Sequence, residues 1–233
     1  MQSHNTNVMD KKNITLADNF RTVCPAFRGC ALYATVVDTP HNDALWQEIA
    51  AATQWLRTAF TPDSVKERSG IRCTREAYRV CGKDPSRYRP SNEQLCRRLI
   101  QGKELYSVST VVDLLNLASI RYGYSIGGFD MDKVVGDDIT LGIGCEGEDY
   151  EGIGRGKLNI AGMPVYRDAA GGIGTPTSDN ERTKITAGTH RLMCFINGYD
   201  GDRQNVQACA EFISQLLCRY AATAEGSVET QEF

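Results

Sequence analysis

The apolar residues of this 233-residue chain follow two kinds of pattern. Between residues 40 and 122 they recur every three or four positions, as on one face of a helix. After Gly123 they come in short runs bounded by glycines, as in strands. Ahead of both, residues 30–37 (CALYATVV) are rich in strand formers and predict a core strand. Pro40 and Asp43 open a helix to Phe60, with Leu45, Ile49, Ala52 and Leu56 on one face, and Pro62 ends it. A short helix to Arg68 is closed by Gly70, and residues 72–80 give another, closed by Gly82. Asp84-Pro85-Ser86 and Arg89-Pro90 punctuate a turn-rich connector. Ser91 then caps a helix to Ile100, with Gln94 completing a capping box.

The stretch 111–134, VVDLLNLASIRYGYSIGGFDMDKV, organises the rest. Val111, Leu114, Leu115, Leu117 and Ala118 give a wide apolar helical face into which Asp113 and Asn116 are set. Gly123 is suited to a left-handed C-cap. A short apolar piece, residues 124–126, leads to Gly127-Gly128, where the backbone can turn tightly or approach a ligand closely. Asp130 and Asp132 follow Phe129. Further strands are expected at residues 139–143, 164–167 and 192–197, with an acidic, Gly-rich loop or hairpin over 144–156. The last helix runs from about Asp202 to Tyr220. Helices early and strands late predict an α+β fold rather than a βαβ array. Residues 1–13 read as a polar, disordered lead-in, 14–222 as a single domain and 223–233 as a disordered tail.

Composition narrows the class. Hydrophobic content of 41% and charged content of 24% are ordinary for a soluble globular protein. No apolar run is long enough to span a membrane, and the N-terminus lacks the apolar core of a signal peptide, so a cytoplasmic location is expected. Nine cysteines are scattered without a C-x-x-C pair, beside only three histidines. Most of them read as reduced, buried thiols, with no metal site and no cofactor. The net charge of -3 is unevenly spread: residues 66–103 hold 11 basic and 4 acidic residues, and residues 130–181 hold 4 basic and 11 acidic ones. The basic stretch is either a set of solvated helix faces or a face for a polyanion such as RNA, with Arg97 and Arg98 as the first contacts.

A second constellation lies over residues 168–186. Gly171, Gly172 and Gly174 make a mobile or tightly turned loop, followed by hydroxyls at Thr175, Thr177, Ser178 and Thr183 and charges at Asp179, Arg182 and Lys184. No Walker or Rossmann pattern is present. Composition alone favours a plain β-connection, and the functional alternative is a loop holding a polar ligand. The candidate ligand-binding residues are Asn116, Gly127, Gly128, Asp130, Gly172, Gly174, Arg182 and Thr183. Asn116 either orients a ligand carbonyl or is a buried amide satisfied by backbone. His190 reads as a surface or capping residue.

The pattern VD, Asn three residues on, Gly, a short extended segment and FD-x-D-K resembles the B3/B4 editing domain of the bacterial phenylalanyl-tRNA synthetase β chain. Residues 164–186 (PVYRDAAGGIGTPTSDNERTKIT), 75–91 (REAYRVCGKDPSRYRPS) and the following LCRRLIQGKEL resemble the stand-alone form of that domain. The resemblance runs from about Phe20 to about Ile196. It implies a compact B3/B4-type fold with a β-sandwich-like core and flanking helices. It also implies that Gly127-Gly128 and the loop at 172–179 flank one pocket, with tRNA or an aminoacyl-tRNA, or an amino-acid-like small molecule, as partner. Gly127 and Leu115 stand where the synthetase domain has a histidine and a threonine. Three functions follow: a stand-alone hydrolase of a mischarged aminoacyl-tRNA, a non-catalytic RNA-binding module, and a binder of a free amino acid or small metabolite. For hydrolysis, Thr177, Ser178 and Asp179 are the candidate catalytic residues. The hydroxyls and the Gly127-Gly128 backbone would serve as donors, and Asp179 as the group holding water.

Overall fold

The computed structural model describes residues 10–233. The elements run in the order β1 (Asn13–Leu16), α1 (Asp18–Val23), β2 (Arg28–Thr35), α2 (Asp43–Ala59), α3 (Ser69–Val80), α4 (Ser91–Ile100), α5 (Thr110–Tyr122) and β3 (Ser125–Asp130). They continue with β4 (Asp138–Ile143), β5 (Glu151–Gly152), β6 (Gly156–Lys157), β7 (Pro164–Asp168), β8 (Gly171–Gly174), β9 (Arg191–Gly198), α6 (Arg203–Tyr220) and β10 (Glu229–Glu232). The fold is α+β.

Two four-stranded sheets are stacked. One has the order β1-β4-β7-β8, and the other β10-β2-β9-β3; β5 and β6 form a separate hairpin. Alternation along the strands divides the core into two layers. Ala31, Tyr33, Phe129, Met193 and Phe195 point from the second sheet toward Ile139, Leu141, Tyr166 and Ile173 of the first. The intervening residues Cys30, Leu32, Ala34, Leu192, Cys194 and Ile196 face a helical layer of α2, α4, α5 and α6. The second sheet is therefore covered on both faces, which accounts for the continuous apolar runs of β2 and β9.

The helices form where the periodicity placed them, except that α3 begins at Ser69 and contains Gly70, which was expected to close a preceding helix; their ends have local causes. Leu45, Ile49, Ala52 and Leu56 are the buried stripe of α2, whose N-terminus is capped by Asn42 accepting the Leu45 N–H at 3.1 Å. α5 is buried on most sides and ends at Gly123 in the left-handed region (φ 79°). Its last carbonyls, Ile120 O and Arg121 O, each accept a bond from the Arg68 guanidinium at 2.8 Å. Asp113 is buried and accepts bonds from Trp46 Nε1, Ser107 Oγ and the Val108 N–H, so the motif aspartate fixes a loop rather than meeting a ligand.

Several expectations change. Ser91 is the first helical residue of α4, with Pro90 at the N-cap and no side-chain cap bond. Gln94 instead donates to Arg89 O, so no capping box forms. Gly127-Gly128 is not a turn: both glycines lie inside strand β3, paired with Phe195 and Cys194 of β9. Gly171, Gly172 and Gly174 likewise belong to strand β8, which pairs with β7 across a register shift at Tyr166/Arg167. The C-terminal segment is ordered where a disordered tail was expected: β10 pairs with the edge of β2, and the Phe233 ring packs near Phe27, Tyr166 and Phe195. Of the lead-in, residues 1–9 lie outside the described residues, and Asn13 opens β1 beside β4. All nine cysteines are free.

Candidate functional site

β3 and β8 are edge strands of the two sheets, and between them opens a pocket of about 420 Å³. The helical side contributes Leu95, Val112, Leu115 and Asn116, and the β3 edge contributes Ile126, Gly127 and Gly128. The end of β8 contributes Gly174, and the segment after it Thr175, Ser178, Asp179, Lys184 and Ile185. The volume falls within the range of roughly 300–1,000 Å³ that suits a small ligand.

The segment after β8 is folded by its own hydroxyls. Thr175 Oγ1 accepts the N–H groups of Thr177 and Ser178 at 3.2 and 3.1 Å, and the Thr175 N–H donates to Ser178 O. This turn returns the chain so that Asp179 bridges back to Gly174. Ser91 N–H donates to Pro176 O at 2.7 Å, fastening the turn to the start of α4.

Asp179 is the centre of the pocket's polar wall. Its Oδ2 accepts the Gly128 N–H at 3.0 Å. Burial pushes its carboxyl up to about 7, with the Gly128 bond acting in the opposite direction. The neighbouring glycines make room for it. A Cβ on Gly127 would stand 2.8 Å from Phe129 Cζ and 3.0 Å from Asp179 Oδ1; one on Gly174 would meet the same two groups at 2.6 and 3.1 Å. On the other face of β3, a Cβ on Gly128 would meet Leu115 and Ile185 at 2.6 and 2.8 Å. The glycines thus admit side chains into the gap between the sheets rather than a turn. Neither Gly127 nor Gly128 has a positive φ.

The structure brings together Asn116, Gly127, Gly128, Gly174, Ser178 and Asp179, and separates the other candidates from them. Among the described residues, Asn116 has no hydrogen-bond partner for its carboxamide, which lines the pocket beside Leu115. Thr177 is buried outside the pocket, its hydroxyl bonded to Tyr78 OH at 2.7 Å and to Tyr88 O at 3.1 Å. Gly172 packs against Tyr150 and Val165. Asp130 is buried outside the lining, bonded to Thr189 Oγ1 and the Asp132 N–H and paired with Lys133. Arg182 makes a two-pronged ion pair with Asp168 at 2.8 and 2.9 Å. The Thr183 hydroxyl is buried with no partner and also lies outside the lining. Ser178 Oγ lies 3.2 Å from Asp179 O, and the Gly128 N–H is spent on Asp179. The expected donor set of Thr177 and the Gly127-Gly128 backbone is therefore engaged elsewhere.

Other lining residues were not singled out from sequence. Ser125, Tyr166 and Asn197 form a polar floor between the sheets, where Tyr166 OH donates to Asn197 Oδ1 at 2.7 Å and Asn197 Nδ2 to Ser125 O at 3.0 Å. The Ser125 hydroxyl is buried without a partner. These residues sit at ordinary strand positions, and only β3–β9 pairing and sheet stacking gather them. Arg97 pairs with buried Glu93 at 2.7 Å, and Arg98 donates to Glu104 O at 2.6 Å. No group of three or more His, Cys, Asp or Glu that could hold a metal ion occurs among the described residues. No helix among them is long and apolar enough to cross a membrane.

No curated protein matches the chain. The chain is similar to a crystal structure of an N-terminal fragment of the phenylalanyl-tRNA synthetase β-subunit from Pyrococcus horikoshii, at 12% identity and a TM-score of 0.47. That match covers 95% of this chain and 51% of the other, so the chain spans about half the length of that fragment. The family model of the B3/4 domain matches residues 73–222, which include α4, α5, β3 and the whole segment carrying Asp179. By that match the chain belongs to the B3/4 domain family.

Proposed function

We propose that the pocket between β3 and β8 recognises the aminoacyl group of an aminoacyl-tRNA. The observation that carries this reading is the placement of Asp179, a desolvated carboxyl in an otherwise largely apolar pocket, opposite walls of Leu115, Ile126 and Ile185. Such a pocket suits a ligand with an apolar side chain and a cationic amine. The amine would meet Asp179 and draw its carboxyl into the charged form, while the unpartnered Asn116 carboxamide is free to bond an ester carbonyl. Membership of the B3/4 domain family and the resemblance to the synthetase editing domain support an aminoacyl ligand carried by tRNA.

A second reading, ester hydrolysis, is favoured by one property of the same residue. A carboxyl near 7 matches a general base at neutral pH. Water held by Asp179 would attack the ester carbonyl carbon and pass its proton to the carboxylate. That proton would then go to the departing ribose oxygen, leaving a free amino acid and a tRNA 3′ hydroxyl. Histidine is absent from the described lining, so Asp179 is the group available for that task.

The experiment is a panel of correctly and incorrectly aminoacylated tRNAs, scored for both binding and deacylation with the wild type and Asp179→Asn. Tighter binding of aminoacylated than of deacylated tRNA, lost on substitution, supports recognition. Turnover abolished by Asp179→Asn, with binding of the tRNA body retained, supports hydrolysis. Equal affinity for charged and uncharged tRNA by both proteins, with no turnover, rejects the pocket's role.

A further inference from the structure

Two thiols stand in contact away from the pocket. Cys24 is the C-cap of α1 and Cys81 the C-cap of α3, and their side chains are hydrogen-bonded to each other. Neither lines the space between β3 and β8. The packing around them accounts for the contact. Cys73, Ala77 and Cys81 recur at every fourth position along α3 and its cap, so they share one face. Cys73 and Ala77 pack in the apolar cluster that holds Phe20, Cys24, Phe27 and Tyr199.

This pair differs from the other buried cysteines. Burial is the main cause that raises the thiols of Cys30, Cys194 and Cys209, and thiols in such surroundings are inert. Between Cys24 and Cys81 the mutual hydrogen bond is the leading cause. It raises Cys24 and, against the effect of burial, holds Cys81 below its ordinary value. Cys24 is thus the donor and Cys81 Sγ the acceptor, which sets a nucleophilic sulfur beside a resolving thiol. Cys24 is only partly buried, so the pair is not sealed from solvent. A buried hydroxyl adjoins them. Tyr199 OH has no hydrogen-bond partner among the described residues, and both thiols oppose its ionisation. The Tyr199 ring lies 5.0 Å from that of Phe27, whose N–H donates to Cys24 O at 3.1 Å.

We infer that Cys24 and Cys81 form a peroxide-sensitive dithiol, which hydrogen peroxide converts to an intramolecular disulfide. The Cys81 thiolate attacks one peroxide oxygen, so that an S–O bond forms and the O–O bond breaks. The departing hydroxide takes up the proton that Cys81 had released and leaves as water. Tyr199 OH donates to the oxygen of the resulting sulfenic acid. Cys24 Sγ then attacks Cys81 Sγ; the S–S bond forms, the S–O bond breaks, and the second hydroxide leaves as water with the Cys24 proton. Two electrons pass from the thiols to the peroxide, and no other co-reactant is needed. Thiols already in contact reach disulfide geometry by side-chain rotation. The bond ties α1 to α3, the helix whose Tyr78 holds Thr177 in the turn before Asp179. The inference is independent of what the pocket binds.

The test treats the reduced full chain with hydrogen peroxide, denatures it and alkylates it with N-ethylmaleimide. Peptide mass spectrometry should find Cys24 and Cys81 as one linked pair, two hydrogens lighter than the separate thiol peptides, with the exposed Cys145 alkylated. Dithiothreitol should restore both thiols. In Cys24→Ser, which lacks the resolving thiol, dimedone should trap a sulfenic acid at Cys81. Cys73→Ser should form the same linked pair as the wild type. Tyr199→Phe, which removes only the hydroxyl, should slow the oxidation several-fold. The wild-type mapping decides the matter without any variant. The inference is overturned if Cys24 and Cys81 are both still alkylated at peroxide doses that oxidise Cys145, or if Cys81 links to Cys73 instead. Oxidation of Tyr199→Phe at the wild-type rate would overturn the part given to the hydroxyl.

Discussion

Asp179 Oδ2 accepts the backbone N–H of Gly128 at 3.0 Å, and this bond ties the edge of one sheet to the turn that follows the edge strand of the other. It joins the two glycine-rich stretches of the chain through a carboxyl that burial raises to about 7.

The first expected outcome concerns pH. Burial raises the Asp179 carboxyl from 3.8 to about 7, so the folded protein binds this proton more tightly than the unfolded chain does. Stability should therefore fall as pH rises from 3.8 toward 7 and stay lower above it. Asp179→Asn should melt with the wild type near pH 4. At pH 8 it should be more stable by on the order of a few kcal/mol. Thermal melts of both proteins from pH 4 to 8 check this, and a constant difference across that range would contradict it.

Gly127→Ala should be costly although its backbone is in an ordinary region. Its methyl would lie 2.8 Å from Phe129 Cζ and 3.0 Å from Asp179 Oδ1. Overpacking of this kind costs about 1–3 kcal/mol. A larger Gly127→Val should both fill the pocket and lower the melting temperature, so loss of binding at this site does not come without loss of stability. The double substitution Gly127→Ala, Phe129→Leu should be more stable than the sum of the two single effects, because the smaller side chain relieves the contact. Additive melting shifts would place the clash elsewhere.

Arg182→Ala should act on stability and not on the ligand. Burial raises the Asp168 carboxyl, but bonds from Arg182 and from the Val135 and Ala170 N–H groups outweigh it and hold the carboxyl below its ordinary value. The wild type should thus lose this contribution as pH falls through the depressed value, the reverse of Asp179. Removing the guanidinium leaves a buried carboxylate short of its partner, at a cost on the order of 3 kcal/mol. Denaturant melts should show that loss at pH 7 and a smaller one at pH 3. Affinity for phenylalanine methyl ester, a probe of the pocket measured by calorimetry below the melting temperature, should be unchanged.

The C-terminal strand should be required for full stability. The Phe233 ring occupies the space beside Gly29, where a Cβ would collide with it, and its N–H donates to Gly29 O. Phe233→Ala should destabilise by about 3 kcal/mol. Deletion of residues 229–233 should cost more, because it also exposes the β2 edge. Wild-type denaturant midpoints in both variants would return the segment to a dispensable tail.

The sequence by itself determined the elements whose information is local. The spacing of Leu45, Ile49, Ala52 and Leu56 made α2, and Gly123 ended α5, since periodicity and a left-handed cap are properties of neighbouring residues. It also marked Asn116, Gly127, Gly128, Gly174 and Asp179 as interruptions of apolar patterns, and these five line one pocket. Tertiary structure decided what each interruption is for. Gly127 and Gly174 look like turn residues along the chain, but each lies in an edge strand against the Phe129 ring, Gly127 beside it on β3 and Gly174 across the gap between the sheets. Arg182 and Thr177 looked like ligand groups because charge and hydroxyl are visible in sequence, whereas the partners that occupy them, Asp168, Tyr78 and the Tyr88 carbonyl, come from other segments. Ser125, Tyr166 and Asn197 gave no signal at all. A polar residue on a strand becomes a pocket floor only when register sets Ser125 opposite Asn197 and sheet stacking brings the Tyr166 hydroxyl onto that amide.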